Sequence, residues 1–537
     1  MKVKKEICKI IDPAVLLFQE NDNSSIQLSV KPKNLTATVD KIKKSNEFLY
    51  EKISAKILEM IKNGTYRPGD RIPSIRSLSR QMHVSINTIM GAYVKLENDG
   101  IIEARPNSGY YVSAQHRSTS FRGKENEIAR LYTPHRKAQG ITFEYSSNLV
   151  TLGDDKVKVM TEITNHTLIP LGAGIPNYDL LPFDKLNRML AAEARRSKVR
   201  SVSYTSAQGD NRLRTQIVKQ SFNSNYSLTS EDIIITTGCF EAIVISLLSI
   251  CRVGDVVALG SPICYTYFKT LEWLGLKVIE IPSSYNEGLN LDFLAYAIKR
   301  NQVRAVISLA NFNNPLAYVM SDEKKKELVK LLAENDIPLI EDDVYGDLAF
   351  GTTRPLPIQS FDKKGLVIYC SSFSKTLAPG YRVGWVSPGR FLDNILQIKA
   401  LLNIASASPT QIAVAEFLAN GGYARHLRTF AKIYAQQMVQ VREAVLRYFP
   451  LGTIVNPAKG GFMFWVELPE CFDTYKLYEA ALREGISIAP GMLFTSGDKY
   501  GNCLRISFAF WSKKIEKAIE TLGQTASTVC YSEYGIR

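Results

Sequence analysis

The stretch LVIYCSSFSKTLAPGYRVGW, residues 366–385, begins as a short apolar run and ends as a glycine-broken loop. Val367, Ile368 and Tyr369 carry the β-branched and aromatic signal of a buried strand, which stops at Ser371 and Ser372. One lysine, Lys375, follows among serines, and Arg382 lies further along the same loop. A lone loop lysine is ordinarily solvated charge. Just past the carboxyl end of a buried strand, however, it stands where α/β folds gather their ligands.

The same grammar extends to both sides. EDIIITTG, DVVALGSP, AVISLAN and IPLIEDD are further short β-runs, each next to a helical segment. Residues 166–524 are therefore expected to form one α/β domain with a mostly parallel central sheet. Polar residues fall at the strand ends: Gly238-Cys239-Phe240, Asn313-Asn314, Asp342 and Ser371-Ser372. That placement predicts one site assembled from distant segments.

The chain has 537 residues, so two or three units are expected. Its eight cysteines include no C-x-x-C pair, which argues against a zinc site or a disulfide framework and for reduced thiols in the cytoplasm. No apolar run reaches the roughly 18 residues of a membrane span, and no signal peptide is evident, so no membrane partner is expected. The net charge is +14, and residues 1–140 hold 24 Lys and Arg against 14 Asp and Glu. A basic amino-terminal quarter is the electrostatic footprint of a nucleic-acid reader, although a solvated basic surface looks the same on charge alone.

Periodicity makes the reader specific. Leu49, Ile53, Ile57 and Ile61 form a helical stripe, ended by the breakers in NGTYRPGD. Ser74 can cap a short helix with Ile75, Leu78 and Met82, and Ser85 another with Ile89, Tyr93 and Leu96. DGIIEARPNSGYYVSA reads as a hairpin around residues 106–109. Three helices and a hairpin make a winged helix-turn-helix, whose third helix enters the major groove of double-stranded DNA. The ordered pieces LYEKISAKILEMI, PGDRIPSIR, VSINTI and SGYYV resemble the GntR-family DNA-binding domain, over residues 46–113. The resemblance implies that Arg76 contacts phosphate or base and that Ser85, Asn87 and Thr88 open the recognition helix. It implies a wing made by Arg105 and the tip Asn107, Ser108 and Gly109. Ile86 and Met90 stand where relatives often carry arginine, which points to fewer charged base contacts or to a thymine-methyl contact at Ile86.

The strand-end residues of the large domain suit pyridoxal phosphate. That cofactor needs an amine for a Schiff base, an anion at its pyridine nitrogen, donors to its phenolate and a phosphate cradle. Lys375 can supply the amine and Asp342 the anion, while Asn314 and Tyr345 can donate to the phenolate. Backbone N–H groups of Cys239 and Phe240 open a helix and face an anion, with Ser372 and Arg382 completing the cradle. The pieces LGAGIPNYDLLP, YTSAQGDNRLR, TTGCFEAI, EDDVYGDLAF, SSFSKTLAPGYRVGW and CLRISFAF resemble fold-type I, class I/II aminotransferases. The resemblance assigns the same roles to these residues and makes Arg505 the fork that grips an amino acid's α-carboxylate. NNPLAY lacks the usual Thr-Gly after Asn-Pro. Cys264 stands where an aromatic usually stacks on the cofactor, with Tyr265 beside it, so two neighbours compete for that place.

A GntR-type reader joined to such a domain resembles the MocR subgroup of transcriptional regulators. It implies a homodimer that senses an amino acid, an amine or the cofactor itself and reports to DNA. An active aminotransferase that carries a DNA-binding domain is the rival reading. Residues 1–45 carry no assignable role, 114–165 read as a linker with a helical turn near Ile128–Tyr132 and room from Phe143 to Met160 for strands that belong to neither unit, and 525–537 read as a tail.

Overall fold

The computed structural model describes residues 49–534, apart from 63–65, 67, 83, 106–108, 114–147, 150–152, 164, 166, 224, 225, 227 and 352. The expectations for residues 1–45, for the turn near Ile128–Tyr132 and for Asn107 and Ser108 lie outside the described residues.

Helix α1 (Leu49–Lys62), α2 (Ile75–Met82) and α3 (Ile86–Asn98) are followed by the antiparallel strands β1 (Ile102–Arg105) and β2 (Gly109–Val112). Ser85 caps α3 by accepting from Thr88 N–H at 3.1 Å, as its position before the apolar stripe predicts. Tyr93 closes the small core by donating to the Pro73 carbonyl at 2.5 Å. The stripe of α1 departs from expectation at one point: Leu49 is exposed and Tyr50 is buried instead. Tyr50, one helical turn before Ile53, takes the place of Leu49 on the buried face and packs edge to face on Tyr296 of the large domain, with ring centroids 5.5 Å apart.

In the large domain the chain forms, in order, β3 (Asn148–Leu149), α4 (Asp154–Glu162), β4 (Ile169–Pro170), β5 (Ile234–Thr236), α5 (Cys239–Ile250) and β6 (Val256–Ser261). There follow α6 (Tyr265–Trp273), β7 (Lys277–Ser284), β8 (Gly288–Leu289), α7 (Leu291–Arg300), β9 (Val303–Ser308), β10 (Leu339–Asp342), β11 (Val367–Ser372) and β12 (Gly384–Ser387). All of these strands except β4 make a nine-stranded sheet in the order β3-β7-β6-β9-β10-β11-β12-β5, with β8 paired to β7. Neighbours from β7 to β11 run parallel, and β12 is antiparallel to both β11 and β5. Every residue of β6, β10 and β11 is buried, which is why these strands open on apolar runs and show no alternation of polar and apolar residues. Further on, β13 (Ile454–Val455), β14 (Met463–Glu467), β16 (Ala489–Pro490) and β17 (Cys503–Ser507) form a second sheet, while β15 (Ile486–Ser487) pairs with β4.

Two boundaries differ from the sequence reading. Strand β3 pairs with β7, and Val159 of α4 lies in the large hydrophobic core, so residues 148–162 belong to the large domain rather than to a linker. Likewise the helix α8 (Lys513–Tyr534) runs through residue 525 and buries Ala526, where a tail was expected. Both segments lack a local signal strong enough to outweigh their polar neighbours.

The α4 anchor is polar as well as apolar. Lys156 Nζ donates to the carbonyls of Thr495 at 2.9 Å, Gly497 at 3.2 Å and Ser496 at 3.4 Å. Replacing it with methionine keeps the stem and leaves those carbonyls short of a donor. Lys156→Met should cost about 1–3 kcal/mol of unfolding free energy, read from the shift of the urea midpoint. An unchanged midpoint would mean that α4 is held by its apolar face alone.

Candidate functional site

A cavity of about 650 Å³ opens at the carboxyl ends of β5, β6, β10 and β11. Among its lining residues are Cys239, Phe240, Tyr265, Asn314, Asp342, Tyr345, Ser372, Lys375, Arg382 and Arg505. Every residue that the sequence nominated for this site therefore meets around one space.

Strand alternation decides which acid enters it. Asp342 ends β10 facing the cavity, while Glu341 points to the opposite side and accepts from Ile358 N–H at 2.7 Å and Gln359 N–H at 2.9 Å. The Asp342 carboxylate accepts from the Tyr267 hydroxyl, from Cys239 Sγ at 3.5 Å and from Val344 N–H at 3.2 Å. Burial raises its pKa, and these three donors pull it back down. Tyr267 was missed by the sequence reading. Its signal was its place one helical turn after Cys264 on α6, the segment where only the stacking residue was sought.

Lys375 Nζ donates to the Gly174 carbonyl at 2.6 Å. Burial lowers its pKa, and the charge of nearby Arg505 acts in the same direction. An amine held toward its neutral form is a nucleophile. Arg505 is only 1% exposed; Nη1 donates to Asn314 Oδ1 at 2.9 Å and Nη2 to the Gly172 carbonyl at 2.5 Å. Its Nε has no hydrogen-bond partner among the described residues. Asn314 in turn donates to the Tyr345 hydroxyl at 3.5 Å, which ties the arginine to the tyrosine.

The anion cradle lies at the amino terminus of α5. Gly238 precedes that helix with φ 89°, a conformation that glycine adopts without steric cost. Arg382 sits in the left-handed region at φ 52° and spans the turn, donating to the Thr237 carbonyl at 2.9 Å and to Ser374 Oγ at 3.2 Å. Ser374, also missed from sequence, lines the cavity beside Ser372, whose Oγ accepts from Ser374 N–H at 3.3 Å. Of the two stacking candidates, Tyr265 packs edge to face on Phe494, with centroids 6.1 Å apart, and Cys264 Sγ lies 3.1 Å from Thr266 Oγ1. Both line the cavity.

In the reader, Arg76 is exposed and Arg105 pairs with Glu103 at 2.7 Å while lying over the Tyr111 ring. Gly109 adopts φ 103°, as a hairpin tip requires. The recognition-helix expectations fare differently. Thr88 is buried, with its Oγ1 2.8 Å from Ser85 Oγ, so the cap consumes it. Asn87 is 2% exposed and faces the large domain rather than open solvent.

Comparison with known proteins agrees with this division. Residues 166–522 match the aminotransferase class I and II family, and residues 49–112 match the gntR family of bacterial regulatory proteins. The chain belongs to the MocR-type regulators. Among its relatives are the uncharacterized HTH-type transcriptional regulators YjiR and YdcR of Escherichia coli (strain K12), 34% and 32% identical. Each alignment spans 88% of this chain and 98% of the relative. The solved α-aminoadipate aminotransferase LysN of Thermus thermophilus, complexed with N-(5'-phosphopyridoxyl)-L-leucine, shares the large-domain fold. Its TM-score is 0.65 at 24% identity, covering 70% of this chain and 97% of that one. A MocR-type regulator is thus a DNA-binding transcriptional regulator with an aminotransferase-like domain. Among the described residues no helix is long and apolar enough to cross a membrane.

The depressed pKa of Lys375 has a consequence for stability. A lysine that binds its proton less tightly when folded costs stability near neutral pH, where the unfolded chain is protonated, and that cost fades as pH rises toward lysine's ordinary range. Stripped of small molecules, Lys375→Met should therefore be more stable than the parent near neutral pH, and the gap should narrow in alkali. Denaturation curves across that range test the sign, and a gap that widens with pH would contradict it.

Proposed function

We propose that the large domain holds pyridoxal phosphate on Lys375, senses an amino acid there and reports its presence to DNA through the reader. The observation that carries this reading is that Lys375 and the buried Asp342 line one cavity whose third corner is a helix amino terminus. The donor set fits the cofactor. Asp342 would pair with the pyridine nitrogen, Asn314 and Tyr345 would hold the phenolate, and Ser372, Ser374, Arg382 and the α5 N–H groups would hold the phosphate. When bound, pyridoxal phosphate supplies an aldehyde that condenses with primary amines and an electron-withdrawing ring.

The chain's own residues do the rest. Burial lowers the pKa of Lys375, which favours the neutral amine that a carbonyl partner needs. Arg505 retains one unpartnered N–H in a buried place, ready for a carboxylate. Ile163, Leu168, Ile175 and Phe510 line the same cavity and bring no charge, so an amino acid with an apolar side chain suits it better than an acidic or basic one. Two copies are part of the reading, because a winged-helix reader commonly binds paired half-sites. Exposed Val199, Val202 and Tyr204 offer an apolar run for a second copy to cover.

Visible absorbance of the purified protein tests the cofactor, and borohydride should fix the label on Lys375. Lys375→Ala should lose the covalent band. Leucine or phenylalanine should change both the spectrum and the affinity for DNA, and aspartate or lysine should do neither. Arg505→Ala should keep the band and weaken the amino-acid response about ten- to a hundredfold, the loss of one or two charge-assisted hydrogen bonds. Absence of the band and label would overturn the cofactor assignment. Rapid turnover of amino acids with no effect on DNA binding would make the protein an enzyme instead.

A further inference from the structure

Asn87 lies near the start of α3, on the helix expected to face base edges, yet its side chain is buried against the large domain. Its Nδ2 lies 3.2 Å from Ser284 Oγ, at the end of β7, and 3.4 Å from Glu287 Oε2 in the turn toward β8. Its Oδ1 is buried with no hydrogen-bond partner among the described residues. The amide is only half satisfied. The major-groove edge of adenine offers both an acceptor and a donor, which a single asparagine can meet together. Asn87 is therefore better matched to DNA than to its present partners.

Other contacts hold the reader in the same place. Val94 of α3 packs against the large-domain core, and Tyr50 meets Tyr296 on α7. Arg76 Nη2 lies 3.6 Å from Glu467 Oε1 on β14. Two acids of the large domain thus engage the two residues that would otherwise meet a base and a phosphate. Ile86, the first residue of α3, stays exposed, but Asn87 cannot reach a base edge until the reader separates.

We propose that Ser284 and Glu287 form a docking surface for the recognition helix, and that this surface competes with DNA for Asn87. The surface is close to the ligand cavity. Strand β7 pairs with β6 along its length, the Ser261 hydroxyl donates to Glu280 across that pair, and the chain leaves β6 directly into Cys264 and Tyr265 of the cavity wall. A ligand that moves that wall acts one strand away from the dock.

Two full-length variants test the competition on random-sequence duplex DNA, with no ligand added. Ser284→Trp fills the dock without changing charge, so any gain in affinity is not simple electrostatics. It should bind DNA about fivefold more tightly than the parent, the worth of one intramolecular hydrogen bond and its packing. Asn87→Cys combined with Ser284→Cys places two thiols where the side chains now touch. Once oxidised, that chain should lose DNA binding and regain it on reduction, while oxidised Asn87→Cys alone should not change. Parent-like affinity in Ser284→Trp, or a cross-linked chain that binds DNA as well as its reduced form, would overturn the proposal. Should Ser284→Trp fail to fold, the disulfide pair decides the matter.

Discussion

Asp342 holds a carboxylate out of water at the end of β10, and a buried carboxylate must be paired, protonated or lost. Three donors converge on it from three elements: Tyr267 from α6, Cys239 from the first turn of α5 and the Val344 N–H of its own loop. Placing those donors fixes where α5 and α6 start relative to β10, and with them the anion cradle and the cavity wall. The flanking acids are managed separately. Asp343 pairs with Arg354 at 2.5 Å, and Glu341, pushed up to about 8 mainly by burial, is held by backbone N–H groups on the far side of the strand. Three successive acids thus serve three environments, and only the middle one faces the cavity. Its position in the cavity wall suits it to the role proposed above, beside a cationic ring nitrogen, and Tyr267 holds the carboxylate in place.

Much of this was legible in sequence because parallel strands covered on both faces announce themselves as apolar runs, and their carboxyl ends are where polar residues must collect. Lys375, Asp342, Asn314 and Arg505 could be nominated from that rule and from the quoted motifs. Tyr267 and Ser374 were passed over: Tyr267 serves the site through Asp342, and Ser374 stands in a run of serines where only Ser372 matched the quoted motif. The allocation of residues 148–162 failed for a related reason. What holds β3 and α4 is β7, more than a hundred residues later, and the carbonyls of residues 495–497, which no local window contains.

The reader shows the same limit more sharply. The periodicity of α3 correctly buries Ile89, Tyr93 and Leu96, because those residues pack within the helical unit. It says nothing about Asn87, whose surroundings are made by a hairpin nearly two hundred residues away. On α1 both Leu49 and Tyr50 lie one turn before Ile53, and the aromatic edge of Tyr296 goes with Tyr50, a choice the period alone does not make.

A weak dock is what a switch of this kind requires. Coupling between two sites usually amounts to about 1–3 kcal/mol, so a ligand can reverse only an equilibrium that is poised within that range. Moving a population from almost wholly docked to almost wholly free would demand a differential affinity of about 5.5 kcal/mol. The unpaired Oδ1 of Asn87 and the exposed Arg76–Glu467 pair both keep the docked arrangement short of that. Linkage then runs both ways: if the cavity ligand loosens the dock, DNA that captures the freed helix must tighten the cavity's hold on that ligand by the same factor. A fully satisfied amide would leave neither a cavity ligand nor a duplex able to move the helix, and the half-satisfied one keeps that exchange within reach.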